Sequence, residues 1–233
     1  MAESFDPTPP DLRPRVRPVQ ARALRSRRKV LDAAHALLKA EGPHRLTTAA
    51  IAAASGVSVG ALYRFFPNKE SIIRQLYEEK LDEIRKTALD ERSAGARELS
   101  WRDHFRDTFR AMKAAERQVD FDFSLADALF LLPQLWAIDV RHAVTLADRL
   151  VADMKRLGSG WSDAALFDLA MNIYALDSAN WMVWRYAQRH PALAIERMIE
   201  ASLTLMRPAM EGDPEPAEIA VSREQVLARA LSD

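Results

Sequence analysis

The chain has 233 residues and no cysteine, which excludes disulfides and thiolate metal sites. Hydrophobic residues make up 48% of the chain and only 7 positions are glycine, a composition that favours an all-α protein with a substantial core. The net charge is zero, yet residues 1–77 hold 13 Lys and Arg against 6 Asp and Glu. A basic first third joined to an acidic remainder is typical of a DNA-binding head on a body with another task.

Residues 1–20 form the first predicted segment, a Pro-rich stretch with little to bury. We expect a disordered arm there, and its basic residues continue into the next helix as far as Lys29. Such an arm either contacts DNA phosphates and an adjacent minor groove or is a solvated tail. The sequence leaves both interpretations open.

The first helix is predicted from about Ala21 to Ala40, where Gly42 and Pro43 end it. A helix-turn-helix follows. Thr47 is suited to cap a small-residue helix over 48–55, and Gly56 supplies a backbone that can turn left-handed. Ser58 then caps a second helix over 59–65. Alanine where the helices cross, glycine in the turn and apolar residues on the packed face are what this motif needs.

The outer face of the second helix is small and polar, which lets a backbone approach a major groove. A tyrosine hydroxyl and a lysine suit phosphate oxygens, and Arg64 suits a phosphate or a guanine edge. The predicted DNA-binding residues are Thr47, Thr48, Ser58, Val59, Gly60, Tyr63, Arg64 and Lys69. The alternative is a tight helical corner in an ordinary α-helical protein.

The stretch from Val30 to Tyr77 resembles the DNA-binding domain of the TetR family of transcriptional repressors. The matching pieces stand in the family's order and spacing: 30–34, 37–38, 42, 46–47, 51–52, 55–58, 60–63 and 66–70. Two departures are Phe65, where many members carry histidine or tyrosine, and Ala49-Ala50, where members often place a charge. The resemblance implies a helix-turn-helix head over 21–68 and a ligand-binding and dimerisation body over 69–207.

A long fourth helix begins after the Asn68 cap, and residues 89–99 are predicted to form a loop. The resemblance implies that this helix joins the two domains and carries ligand control. Further helices are predicted from Trp101, around 121–130, from Pro133 to Leu157, from Asp163 to Arg189 and from Pro191. The resemblance implies that the last two helices of the body form a homodimer.

The segment 208–233 is predicted to be a tail, because Pro208, Gly212, Pro214 and Pro216 interrupt the helical pattern. Ser222 and Gln225 are spaced as a capping box ahead of a short amphipathic helix. That helix either docks on the body or frays, and we expect fraying.

The body is rich in aromatic and methionine side chains, which favour a pocket for a flat or apolar effector once the family is considered. Plain core packing is the alternative. The candidate ligand-binding residues are Phe105, Phe109, Met112, Phe130, Trp136, Met171, Tyr174, Asp177, Ser178 and Trp181. Asp139 and His142 stand one helical turn apart and could polarise a ligand, but we expect them to form a solvated pair.

The five histidines are scattered, and the sequence contains no phosphate loop and no nucleophile elbow. We therefore expect that the protein is not an enzyme and that it binds no metal and no cofactor. No stretch is apolar enough to span a membrane and no secretory signal is evident, so the cytoplasm is the expected location. The prediction is a homodimeric, ligand-relieved repressor on a palindromic operator; the alternatives are a helical small-molecule-binding protein or enzyme with a vestigial motif, and a DNA-architectural dimer without an effector.

Overall fold

The computed structural model describes residues 18–93, 100–121, 123–132, 135–186 and 191–230. Within these ranges the protein is all-α, as the composition predicts. Its helices are α1 Pro18–Glu41, α2 Thr48–Ser55, α3 Val59–Phe65, α4 Lys69–Ser93, α5 Trp101–Gln118, α6 Phe123–Leu131, α7 Trp136–Arg156, α8 Asp163–Tyr186, α9 Pro191–Glu211 and α10 Arg223–Ala230.

The helices of the head begin and end where their local signals place them. Thr47 Oγ1 accepts a hydrogen bond from Ala50 N at 3.1 Å and Ser58 Oγ accepts one from Ala61 N at 3.3 Å. Between them Gly56 takes a φ of 65°, the left-handed conformation that favours glycine. Asn68 Oδ1 accepts from Ser71 N at 2.8 Å and so caps α4. The predicted helix-turn-helix is confirmed.

The core of the head continues into the body. Fully buried side chains of α1, α2 and α3 pack with Ile73 and Tyr77 of α4, and the same cluster takes in Leu125 of α6 and Leu135 before α7. An ion pair from Lys39 Nζ to Asp120 Oδ1 at 2.7 Å also joins α1 to the turn that follows α5. A shift of α4 would therefore change side-chain packing in both the head and the body.

Two helix ends differ from the sequence-based expectation. α4 runs to Ser93 rather than ending at 89, because no glycine or proline stands between Lys69 and Ser93. α9 passes through Pro208 and ends at Glu211, before Gly212 with its φ of 87°. Ala209 is buried against the body core, and Ser159 Oγ donates to its carbonyl oxygen at 2.7 Å. This packing holds the last turn despite the proline.

Other predicted ends fall partly outside the described residues. α1 begins at Pro18, so residues 18–20 of the predicted arm belong to a helix instead. Residues 1–17 of the predicted arm lie outside the described ranges. The same holds for residues 94–99, 133–134, 187–190 and 231–233.

The C-terminal segment docks on the body, so the expectation of a fraying helix is wrong. Arg223 makes two hydrogen bonds to the Asp148 carboxylate, at 2.9 and 3.0 Å, and Val221 N donates to Asp168 Oδ1 at 2.8 Å. Val226 and Leu227 of α10 pack on the cluster around Phe167 in α8. The partners belong to α7 and α8, which lie more than fifty residues upstream, so the local sequence could not reveal them.

Within the described ranges, no helix combines the length and the apolar character needed to cross a membrane.

Candidate DNA-binding surface and ligand cleft

The predicted DNA-binding side chains all lie at the surface of the head. Val59 is 46% exposed and Tyr63 50% exposed. Ser58, Gly60 and Arg64 are also exposed, and Lys69 is half-buried at the start of α4. The face predicted from the sequence is therefore open and is not packed into the protein's own core.

A hydrogen bond of 3.1 Å between Thr48 Oγ1 and Tyr63 Oη joins the start of α2 to the middle of α3. It places two predicted contact residues, fifteen positions apart in the chain, side by side. Thr47 and Ser58 accept backbone hydrogen bonds as caps, which leaves each hydroxyl hydrogen able to donate to a phosphate oxygen. The hydroxyl groups of this surface can therefore donate hydrogen bonds to a DNA phosphate backbone.

The basic residues of α1 differ in availability. The Arg27 guanidinium lies 5.7 Å from the centre of the Phe66 ring, and Arg28 forms ion pairs with Asp32 at 2.7 Å and Glu79 at 3.0 Å. Arg22 and Lys29 are exposed. The arginines of the predicted arm, Arg13, Arg15 and Arg17, lie outside the described residues.

A cleft of about 880 Å³ opens between the end of α1 and helices α4 to α8. Residues 41–44 of the head form part of its wall, beside Tyr77 of α4. Six of the predicted ligand-binding residues line this cleft: Met112, Trp136, Met171, Tyr174, Asp177 and Ser178.

A second, smaller cavity of about 80 Å³ lies deeper, between α5, α7, α8 and α9. Of the predicted residues, it is lined by Phe109, Met112, Tyr174 and Asp177. Phe105 lines neither cavity, contrary to the prediction: it is fully buried in the core with Ile199 and Leu203 of α9. The amphipathic stripe of α5 packs on α9 at that level, so the ring has no free face. The side chains of Phe130 and Trp181 lie outside those that the structure describes.

Asp139 on α7 is the polar centre of the cleft. Its Oδ1 accepts hydrogen bonds from Tyr77 Oη of α4 at 2.6 Å and from Tyr174 Oη of α8 at 2.9 Å. Burial raises the pKa of the Asp139 carboxyl, although both hydroxyl donors act to lower it. Sequence reasoning missed Asp139 as a bridge between three helices, since the partners lie 62 and 35 residues away.

Asp139 and His142 do not form the solvated pair that the sequence suggested, because both side chains are buried. His142 Nδ1 lies 3.2 Å from Arg85 Nη1. Burial, together with the charges of Arg85 and Arg149, lowers the pKa of His142 to about 3. The imidazole is therefore neutral at physiological pH and accepts from the guanidinium.

A charged triad lies in the walls of the two cavities: Lys113 lines the smaller, Glu116 the larger and Asp177 both. Lys113 Nζ of α5 lies 2.9 Å from Glu116 Oε1 and 2.7 Å from the Asp177 carboxylate of α8. Burial raises the pKa of Glu116 to about 7 against the attraction of Lys113. Burial acts to lower the pKa of Lys113, but the Asp177 and Glu116 carboxylates outweigh this effect and raise that pKa. Glu116 continues the apolar stripe of Trp101, Phe105, Phe109 and Met112, a signal that could have identified the triad.

Sequence comparison places the head among known regulators. Residues 30–76 match the family of bacterial regulatory proteins called the tetR family. Nucleoid occlusion factor SlmA of Photorhabdus laumondii is 49% identical over 53 residues. That stretch is 22% of this chain and 27% of the SlmA protein, so the chain spans about a quarter of the length of this relative.

Solved structures share the fold over most of the chain. A transcriptional regulator from Rhodococcus sp. Rha1 superposes with a TM-score of 0.63 at 14% identity, covering 79% of this chain and 98% of the other. A TetR-family regulator from Streptomyces coelicolor gives 0.59 at 20% identity, covering 79% and 99%. FadR of Thermus thermophilus, a TetR-family repressor in complex with lauroyl-CoA, gives 0.52 at 22% identity, covering 82% and 98%.

At identities below 25%, these structures show only that the fold is shared. The family to which the head is similar is given by the match over residues 30–76. The structure adds three features: an exposed helix-turn-helix, a head core that continues into the body, and a helical body with a cleft. Residues 30–76 are a domain of the tetR family of bacterial regulatory proteins, and the fold of the chain is similar to that of a solved TetR-family regulator.

Proposed function

We propose that this protein is a transcriptional repressor that binds a palindromic operator as a homodimer and is released from it by a small molecule. The observation that carries the proposal is the open face of α3, on a head whose core also contains α4, a wall of the ligand cleft. One helix thus belongs to the DNA-binding part and to the ligand-binding part.

On DNA, the exposed edge of α3 would enter the major groove. Val59 and Gly60 bring the backbone near the bases, Arg64 reads a guanine edge or contacts a phosphate, and Tyr63 and Lys69 contact phosphates. Two heads of a dimer would then meet successive major grooves about 34 Å apart or a multiple of that distance.

Dimerisation would use α8 and α9. In support, α9 carries Leu193 and Leu205 as exposed large apolar side chains, while its other face is buried with Ile199 and Leu203. A second copy that covers this surface would complete a four-helix contact.

Ligand control would act through α4. A ligand in the cleft touches the end of α1 and Tyr77 of α4, so its affinity depends on how the head is placed. It shifts the equilibrium only by the difference between its affinities for the two arrangements. The effector expected from the aromatic lining is an apolar or aromatic molecule.

A gel shift with the DNA that flanks the gene, run at several salt concentrations, tests the DNA-binding role. We expect a salt-sensitive specific complex with the stoichiometry of a dimer. Lys69→Ala should weaken binding to all sequences alike and lower the salt slope by about one. Arg64→Ala should alter sequence preference as well. A monomer without a specific complex would favour a small-molecule carrier, and a specific dimer whose binding no ligand changes would favour an architectural role.

A further inference from the structure

Asp139 is an acidic group without a cationic partner among the described residues. Its carboxylate is held only by two neutral donors, the hydroxyls of Tyr77 and Tyr174, and both bond the same oxygen, Oδ1. No described side chain donates to Oδ2, and the residue is only 8% exposed. Buried carboxylates are normally paired with a cation, so this one is arranged to receive another group.

Two other carboxylates in the inner wall already have a cationic partner. Glu116 and Asp177 share the Lys113 ammonium, at 2.9 and 2.7 Å. Arg85 is directed to the neutral His142 ring. Two further acids, Glu41 and Asp127, lie in the wall, whereas no lysine or arginine of the described residues lines this cleft. The electrostatic potential inside the cleft therefore favours a cation over an anion.

Aromatic rings line the same cleft. Tyr77, Phe121, Trp136 and Tyr174 all contribute to the cleft wall, and Trp136 is 47% exposed. Aromatic faces attract organic cations and also cover the apolar part of a ligand. A carboxylate among such rings, in a cleft of about 880 Å³, is suited to a molecule that has one positive charge and an apolar body.

From these contacts we infer that the cleft binds a lipophilic organic cation, an amine or a quaternary onium ion with an aromatic or aliphatic body, and that Asp139 is its counter-ion. This assignment replaces Asp177 and Ser178 as the principal polar anchors. It also differs from the anionic lauroyl-CoA that accompanies Thermus thermophilus FadR. Its regulatory meaning rests on the proposed repressor function, but the binding itself does not.

A cation at Asp139 Oδ2 would draw the negative charge of the carboxylate away from Oδ1 and weaken or break its hydrogen bond with Tyr77. Tyr77 belongs to α4, and its ring is fully buried between the head and the body. Loss of its hydrogen bond removes one tie between α4 and α7. The charge of the ligand, rather than its size alone, would then weaken the position of α4 that the structure shows.

The test uses two ions of nearly equal shape and opposite charge, tetraphenylphosphonium and tetraphenylborate, in equilibrium dialysis against the full-length protein without DNA. We expect the cation to bind at least about tenfold more tightly than the anion. Asp139→Asn keeps a side-chain acceptor for the two tyrosines and should reduce cation affinity by about tenfold while leaving anion affinity unchanged.

The matched control is Asp163→Asn, which removes one negative charge from a side chain that is 82% exposed and remote from the cleft, and should change neither affinity. Equal affinity of the wild-type protein for the two ions, or a cation preference that survives in Asp139→Asn, overturns the assignment. The wild-type comparison needs no variant, so it stands even if Asp139→Asn unfolds. Because the dialysis contains no DNA, its failure would count against the cation site and not against DNA binding. A failed gel shift would count against the proposed repressor function and not against the cation site.

Discussion

The Tyr77 hydroxyl on α4 lies 2.6 Å from Asp139 Oδ1 on α7, and this contact joins the helix that leaves the DNA-binding head to the floor of the ligand cleft. The Tyr77 ring is also packed at 5.9 Å from the Phe121 ring, in the core that the head shares with the body. The position of α4 therefore depends on a polar contact that a ligand can reach.

Tyr77→Phe should lower the free energy of unfolding by about 1.5–3 kcal/mol, the range for a hydrogen bond to a charged group. The ring keeps its packing, so the loss reports on the hydroxyl alone. The same change should raise the pKa of Asp139 further, because one of the two donors that favour its ionised form is gone. Urea unfolding and the carboxyl chemical shift of Asp139 measure the two effects.

A double-mutant cycle with Asp139→Asn separates this contact from general packing. In the Asp139→Asn background the bond is neutral, so Tyr77→Phe should cost about 1 kcal/mol or less. An equal cost in both backgrounds would mean that the hydroxyl acts through packing and not through the carboxylate.

The helix-turn-helix could be predicted to the residue because each of its signals is local. Thr47, Ser58 and Asn68 bond to backbone groups three positions ahead, and Gly56 sets its own φ. These effects do not depend on the rest of the chain, so the bounds of α2 and α3 follow from the sequence alone.

The cleft could be predicted only in part, since its polar groups are defined by contacts between distant helices. The sequence identified Tyr174 and Asp177 as polar lining, but it favoured a solvated Asp139 over a ligand contact and overlooked Lys113. Lys113 and Asp177 lie 64 residues apart, and only the tertiary fold brings the buried Lys113 ammonium to the Asp177 carboxylate. Burial of a charge is a tertiary property, which periodicity within one helix cannot reveal.

Two glycines of the head provide a matched pair of substitutions. Gly56→Ala should destabilise the protein by about 1–2 kcal/mol, because its φ of 65° strains an L-residue. Gly60 has an ordinary φ and nothing within 4 Å of an added Cβ, so Gly60→Ala should leave stability equal or raise it by up to about 0.5 kcal/mol. If the backbone of α3 approaches DNA, Gly60→Ala should nevertheless weaken operator binding.

Thermal unfolding and gel shifts of the two variants check this pair. We expect Gly56→Ala to lower the stability and Gly60→Ala to lower the DNA affinity. Full operator affinity in Gly60→Ala would show that this part of α3 does not come close to the bases.

Stability should depend on pH through Glu116. Burial raises the pKa of Glu116 from 4.5 to about 7 in the folded protein. A raised carboxyl pKa means that the folded state binds the proton more tightly, so this contribution is full below pH 4.5 and is lost as the pH rises through 7. Between about pH 5 and about pH 8 the wild-type protein should lose roughly 2–3 kcal/mol relative to Glu116→Gln.

Urea unfolding of both proteins across that pH range measures the difference. Titrating groups that do not interact with Glu116 are common to the two proteins and cancel. Parallel curves would indicate that Glu116 remains ionised in the folded state throughout, held by Lys113.

The docked C-terminal helix should contribute to stability mainly through its apolar side chains. Leu227 packs on the cluster around Phe167, so Leu227→Ala should lower the free energy of unfolding by about 1–2 kcal/mol. Arg223→Ala should have a smaller effect that disappears at high salt, because its ion pair with Asp148 is exposed. Gln225→Ala, at an exposed position of the same helix, is the control. If Leu227→Ala is no less stable than Gln225→Ala, then α10 is detached in solution, and the packing of Val221, Val226 and Leu227 on α7 and α8 adds nothing to the stability of the body.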